Sequence, residues 1–114
     1  MKTPTAADRL ARTFAALADP TRLAIVDRLA RDDATVKELT EPFALTQQAV
    51  SRHLRVLEEA GLVSRRRQAQ ARPASLEVDR LVEVLGWVDA QRNEWIQRHR
   101  RLDRHLTRIQ DGQQ

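Results

Sequence analysis

Three observations predict a mainly α fold with one small β-hairpin, in the order α-α-α-α-β-β-α. Helical periodicity runs through most of the 114 residues. A short third helix is joined to a fourth by a tight connector. Two short extended segments follow the fourth helix, before a long final one. Two short helices with a tight connector and then a basic hairpin describe a winged helix–turn–helix. The length suits a single domain over 1–114. The hydrophobic content of 41% is ordinary for a globular chain, which argues against wholesale disorder.

The first helix is expected over about Thr5–Ala18. Leu10, Phe14 and Leu17 recur at i, i+4 and i+7 and form one apolar stripe. Asp19 is a good N-cap and Pro20 fits the first position of a second helix reaching about Ala30, which should bury Leu23, Ile25, Val26 and Leu29. Arg31-Asp32-Asp33 reads as a polar turn. Thr35 caps a third helix, with Glu38 three residues on to complete a capping box, and Pro42 ends it near Glu41. Phe43-Ala44-Leu45 connects to Thr46, the cap of a fourth helix over about Gln47–Ala60. Gly61 lies where a left-handed residue must end that helix. Leu62–Gln68 and Arg72–Val78 are the extended segments, turning at Ala69-Gln70-Ala71. The final helix covers about Asp79–Gln110.

Composition excludes several functions. There is no cysteine, hence no disulfide, thiol nucleophile, iron–sulfur cluster or cysteine zinc site. No apolar run approaches the roughly 18 residues of a membrane span. The first residues carry no apolar signal core, so a soluble cytoplasmic protein is expected. Enzymatic chemistry lacks its parts. His53, His99 and His105 have no partnered spacing, and there is no glycine-rich phosphate loop. No cofactor is expected.

The net charge of +4 is localised. Residues 1–45 carry seven basic and seven acidic groups, and so do residues 73–114. The whole excess lies in 46–72, where Arg52, Arg55, Arg65, Arg66, Arg67 and Arg72 face only Glu58 and Glu59. A localised basic patch suits a polyanion such as double-stranded DNA.

The fourth helix sorts by face. Val50, Leu54 and Leu57 must point to the core. Gln48, Ser51, Arg52 and Arg55 lie on the opposite side, with Gln47 at its N-terminal edge. Arginine pairs bidentately with guanine and glutamine with adenine in the major groove. An ordinary solvated face is the alternative. It loses ground because acidic residues enter only at Glu58 and Glu59. His53 lies on a flank, as a packed or phosphate-contacting residue. In the hairpin, alternation cannot aim Arg65, Arg66 and Arg67 the same way, so Arg66 and Arg72 are favoured for DNA, Arg67 stays a candidate and some of the others pair with carboxylates. Wing contacts to phosphate give affinity and salt dependence more than sequence choice.

The final helix repeats Leu81, Leu85, Val88, Arg92, Trp95, His99, Leu102, Leu106 and Ile109 in alternating steps of four and three, a heptad-like seam. Its length of about 46 Å exceeds the about 34 Å diameter expected of a compact chain of this size. A homodimer follows, built on Leu10, Phe14, Leu17, Leu81, Leu85, Val88, Trp95 and Leu102. The alternative is a helix folded back over its own core. Residues 19–78 then form the DNA-binding core, and 5–18 and 79–110 the dimerisation helices. Two recognition helices would meet half-sites about 34 Å apart on a pseudo-palindrome. A helical interaction module without specific DNA binding is the rival reading, and it leaves the basic excess in 46–72 without purpose.

Ala18-Asp19-Pro20-Thr21-Arg22-Leu23, Thr35-Val36-Lys37-Glu38-Leu39 and the stretch Gln48-Ala49-Val50-Ser51-Arg52-His53-Leu54-Arg55-Val56-Leu57-Glu58-Glu59-Ala60-Gly61-Leu62-Val63 resemble the ArsR-type winged helix–turn–helix repressors. The resemblance spans nearly the whole chain and is most specific from Ser51 to Val63. It implies a homodimeric repressor that leaves operator DNA when an effector binds, with the first and last helices building the dimer. Whether an effector exists, and which, is left open. Metal-sensing members carry paired cysteines on the third helix. Here that stretch reads Val36-Lys37-Glu38-Leu39-Thr40-Glu41. The other familiar ligand pattern, on the last helix, meets Gln91 two residues after Asp89 and Leu102 thirteen after it. The chain therefore resembles the metal-independent branch, often encoded beside small lipid-binding-type proteins.

Overall fold

The structure, a computed structural model, describes residues 3–66 and 72–112. The elements are α1 (Ala6–Leu17), α2 (Pro20–Leu29), α3 (Val36–Thr40), α4 (Gln47–Glu59), β1 (Val63–Arg65), β2 (Ala74–Leu76) and α5 (Val78–Gly112). The order expected from sequence holds. The chain divides into two compact units, Met1–Val82 and Glu83–Gln114.

In the first unit, polar residues set each helix start. The Thr5 hydroxyl accepts from the Asp8 N–H at 3.1 Å, and the Asp8 carboxylate accepts from the Thr5 N–H at 3.0 Å. Asp19 caps α2 by accepting from the Arg22 N–H at 3.0 Å, with Pro20 in the first turn. Thr35 and Glu38 form the expected box at α3. Thr46 accepts from the Ala49 N–H at 3.1 Å to open α4. These side chains satisfy amides that have no partner inside their helix. At the other end of α4, Gly61 adopts φ +77°. Its N–H donates to the Glu58 carbonyl, and that of Leu62 to the Leu57 carbonyl, both at 2.9 Å. This paired closure needs a left-handed residue, which glycine adopts without a Cβ penalty.

The core gathers Ile25, Leu39, Val50, Leu54, Leu57 and Leu62, all fully buried, with Ala16, Val26, Leu29 and Val63. Each large apolar side chain so buried contributes roughly 1.5–3 kcal/mol. Leu23 departs from expectation, being 48% exposed. It lies about a third of a turn from the mean direction of Ile25, Val26 and Leu29, and α2 can present only one face inward. The stripe expected on α1 also splits. Thr13 and Ala16 are buried and Leu17 packs beside them, while Leu10 is half-buried and Phe14 exposed.

The hairpin pairs Val63 with Leu76, Ser64 with Ser75 and Arg65 with Ala74, antiparallel. Its strands are shorter than the sequence suggests. The Arg66 N–H still reaches the Pro73 carbonyl at 3.1 Å. The expected turn at 69–71 lies outside the described residues. Ala34, just before the Thr35 cap, forms an additional bridge with Ala74, through N–H···O bonds of 3.2 and 2.7 Å. That bridge ties the start of the helix–turn–helix to the wing.

α5 buries no residue among those described. Within the first unit, Leu81 packs against the core cluster. Within the second, Leu85, Val88, Trp95, Leu102, Leu106 and Ile109 are all exposed. The Trp95 and His99 rings stack at 3.7 Å, and Asp89 pairs with Arg92 at 3.0 Å one turn on.

Candidate nucleic-acid interface

Burial of Val50, Leu54 and Leu57 fixes the rotation of α4 and so decides which residues face outward. Gln47, Gln48, Arg52 and Arg55 are exposed and Ser51 is half-buried. These five side chains, with Val36 of α3, line one open depression. The structure thus brings together all the residues assigned to the recognition face. The third helix joins them through Val36, which the sequence did not assign to this face.

Charge on this surface is available rather than spent. Among the described residues, Arg52, Arg55, Arg66 and Arg72 enter no ion pair. Arg65 differs. Its Nε lies 2.7 Å from Glu58 Oε1, and both side chains are partly shielded. Alternation along β1 sends Arg65 back towards α4 and leaves Arg66 exposed. Arg66 and Arg72 flank the tip of the wing. Arg67, the third arginine assigned there, lies outside the described residues. The first turn of α4 holds no acidic side chain, so its amides and helix dipole present positive potential.

His53 stands apart from the depression. Half-buried, it places Nδ1 3.2 Å from an Arg22 guanidinium nitrogen and 3.7 Å from Asp19 Oδ2. Arg22 is the residue that sequence reasoning missed. Its Nε donates to the Ala16 carbonyl at 2.6 Å and its NH2 to the Ala15 carbonyl at 3.4 Å. A cation bonded to the last carbonyls of a helix is favoured by hydrogen bonding and by the dipole together. One side chain thereby joins the end of α1, the start of α2 and the flank of α4. The signal was present, since an arginine two residues after a helix-breaking Asp-Pro sits beside the carbonyls of the preceding helix. The Asp19 carboxyl is held below the usual range, first by the Arg22 N–H and then by the charges of His53 and Arg22.

The proposed dimer residues differ in exposure. Leu17 and Leu81 pack on the core, Leu10 is half-buried, and Phe14, Leu85, Val88, Trp95 and Leu102 are exposed.

Known proteins share this arrangement. A helix-turn-helix domain family matches residues 17–66. A solved ArsR family transcriptional regulator is 33% identical with a TM-score of 0.74, over 82% of this chain and 96% of that one. This chain belongs to the ArsR family of helix–turn–helix regulators. The transcriptional repressor SdpR of Bacillus subtilis is 33% identical over 66% of this chain and 83% of its own length. The homodimeric winged helix-turn-helix DNA-binding domain of Mb0332 from Mycobacterium bovis is 28% identical with a TM-score of 0.63, over 76% of this chain and 82% of that one. The ArsR assignment makes the molecule a DNA-binding transcriptional regulator, a class of binding proteins and not of enzymes.

Proposed function

We propose that this regulator is a homodimeric repressor that seats α4 in the major groove of a pseudo-palindromic operator. The observation that carries this is the α4 face itself: two glutamines and two arginines without ion pairs, held outward by a fully buried apolar spine. Gln47, Gln48, Ser51, Arg52 and Arg55 read base edges or fix register, and Arg66, Arg67 and Arg72 hold phosphate. His53 supports the helix from behind and is at most a backbone contact. Residues 19–78 form the DNA-binding core of a single 1–114 domain, with the helices over 5–18 and 79–110 building the dimer through Phe14, Leu85, Val88, Trp95 and Leu102, and with Leu10, Leu17 and Leu81 beneath. The homodimeric relative and the repressor relative both support this reading.

The chain belongs to the metal-independent branch of its family. It has no thiol, and among the described residues no three His, Asp or Glu side chains converge. No helix among the described residues is long and apolar enough to cross a membrane. A repressor works where the chromosome is, so a cytoplasmic location goes with this reading. With roughly 6–10 phosphate contacts per dimer, operator affinity should fall about 10³–10⁵-fold between 50 and 200 mM salt. Fluorescence anisotropy with genomic operator fragments reads this directly, and a flat salt response would overturn the interface. Zinc or a chelator should leave that affinity unchanged.

A further inference from the structure

The depression beside α4 holds one side chain for which hydrogen bonding to base edges has no use. Gln47, Gln48, Ser51, Arg52 and Arg55 each bring donors or acceptors to it, and Val36 brings only methyl groups. Val36 is half-buried, packed on one side against the core cluster and open on the other to the depression. Its position is fixed from both directions along the chain. Just before it, the Thr35–Glu38 box sets the first turn of α3, and Ala34 is bridged to Ala74 of the wing. Just after it, Leu39 is fully buried, and the Thr40 hydroxyl donates to the Val36 carbonyl at 2.7 Å. A valine on a helix has essentially one χ1 rotamer, so these methyls stay where the backbone puts them.

We infer that Val36 is a specificity-determining residue, which reads the C5-methyl group of a thymine next to the bases met by the α4 side chains. This rests on the docking of α4 proposed above and adds the base read at one position. In the major groove the edges of guanine, adenine and cytosine offer polar groups, and thymine alone of the four bases adds a methyl group. The open side of Val36 enters that groove together with the α4 face, because both line one depression. Against an amino or carbonyl group, it strips water and returns no hydrogen bond, which costs free energy. Against a methyl group, both apolar surfaces leave water together. The same side chain thus favours one base and penalises the others, the two components from which specificity is built. The depression then divides its work. Arginine and glutamine choose among purines, and valine chooses a pyrimidine.

Replacing thymine by deoxyuridine removes this methyl and leaves base pairing intact. Genomic fragments bound by the full-length protein supply the operator, and each of its thymines in turn is replaced by deoxyuridine. At one position in each half-site, the replacement should weaken wild-type binding about fourfold, the loss of one buried methyl. Val36→Ala should bind the two duplexes equally. Val36→Thr keeps the β-branched shape and exchanges one methyl for a hydroxyl, so it serves where the alanine variant folds poorly. It should narrow the thymine-to-uracil ratio. With cytosine at that position, C5-methylation should strengthen wild-type binding and leave Val36→Ala unmoved. A valine that only supports the start of α3 would, when replaced, lower affinity for both duplexes alike and leave the ratio at its wild-type value. That outcome overturns the inference, and so does a scan in which no thymine methyl matters to the wild type. If Arg52→Ala or Arg55→Ala weakens operator binding while the methyl scan is flat, only the reading of Val36 fails. If neither arginine matters, the docking of α4 fails and the reading of Val36 with it.

Discussion

Two helices of this chain carry equally regular apolar rows and meet opposite fates. In α4, Val50, Leu54 and Leu57 are all fully buried. In α5, Leu85, Val88, Trp95, Leu102 and Ile109 follow comparable spacing, yet each keeps between 45% and 60% of its surface exposed. Periodicity identifies a face that water disfavours, but it does not say what covers it. For α4 the cover is the body of its own unit. For α5 the described residues leave the row exposed, as expected of the interaction surface proposed for it.

The sharpest way to break this contrast is to truncate one leucine in each row. Leu54→Ala removes a side chain from the centre of the core and should cost about 2–5 kcal/mol, a large part of the stability of a domain this size. Leu102→Ala removes a side chain that is 54% exposed and should leave the unfolding of the first unit unchanged while weakening self-association. Urea denaturation and sedimentation, run on both variants, separate the effects. Equal losses of folding stability would mean that the α5 row is covered within the chain.

The same contrast explains which readings the sequence supported. Elements governed by local chemistry were legible. The caps at Asp19, Thr35 and Thr46 and the left-handed Gly61 appear where residue type demanded them. The buried spine of α4 was legible because its period fits one helix face. Contacts set by tertiary neighbours were less so. Leu23 looked like a core residue because leucine on a short helix usually is, but only the packing of α2 reveals which side is inward. The Ala34–Ala74 bridge joins positions forty residues apart and leaves no local trace. His53 and Arg22 stand 31 residues apart in sequence, and only the fold sets them 3.2 Å apart beside Asp19.

Within the basic window, arginines divide as the two helices do, into committed and available. Arg65 is held by Glu58, whereas Arg52 and Arg55 are exposed and make no ion pair among the described residues. Arg52→Ala or Arg55→Ala, whichever contacts a base, should therefore cost about 1–3 kcal/mol of operator binding and relax sequence preference at one position. Arg65→Ala should act mainly on the wing and leave base preference intact. Competition with single-base operator variants measures both quantities. If Arg65→Ala relaxed preference while the other two did not, the division would be reversed.

The subtlest form of the comparison lies in how the helices are capped. α2 begins on the carboxylate of Asp19, and α1 and α3 pair a threonine cap with a first-turn carboxylate: Asp8, Asp19 and Glu38 each accept a backbone N–H bond that holds them below the usual carboxylate range, with Thr5, Arg22 and Thr35 as the respective donors. α4 begins on the neutral hydroxyl of Thr46 and has no acidic residue in its first turn. Because the three carboxylates titrate lower in the folded chain than in the unfolded one, their contribution is complete above the unfolded value of about 4 and is lost as pH falls through the folded values. Acidification towards pH 3 should thus loosen the first turns of α1, α2 and α3. The Thr5, Arg22 and Thr35 amides, which donate to those carboxylates, should lose hydrogen-exchange protection, corrected for intrinsic rates, while the Ala49 amide keeps its own. Equal loss at Ala49 would show that the α4 start depends on its neighbours' carboxylates and not on its own cap. A neutral cap also suits the docking proposed for α4, since a carboxylate at that helix start would face the phosphates that its amides would meet.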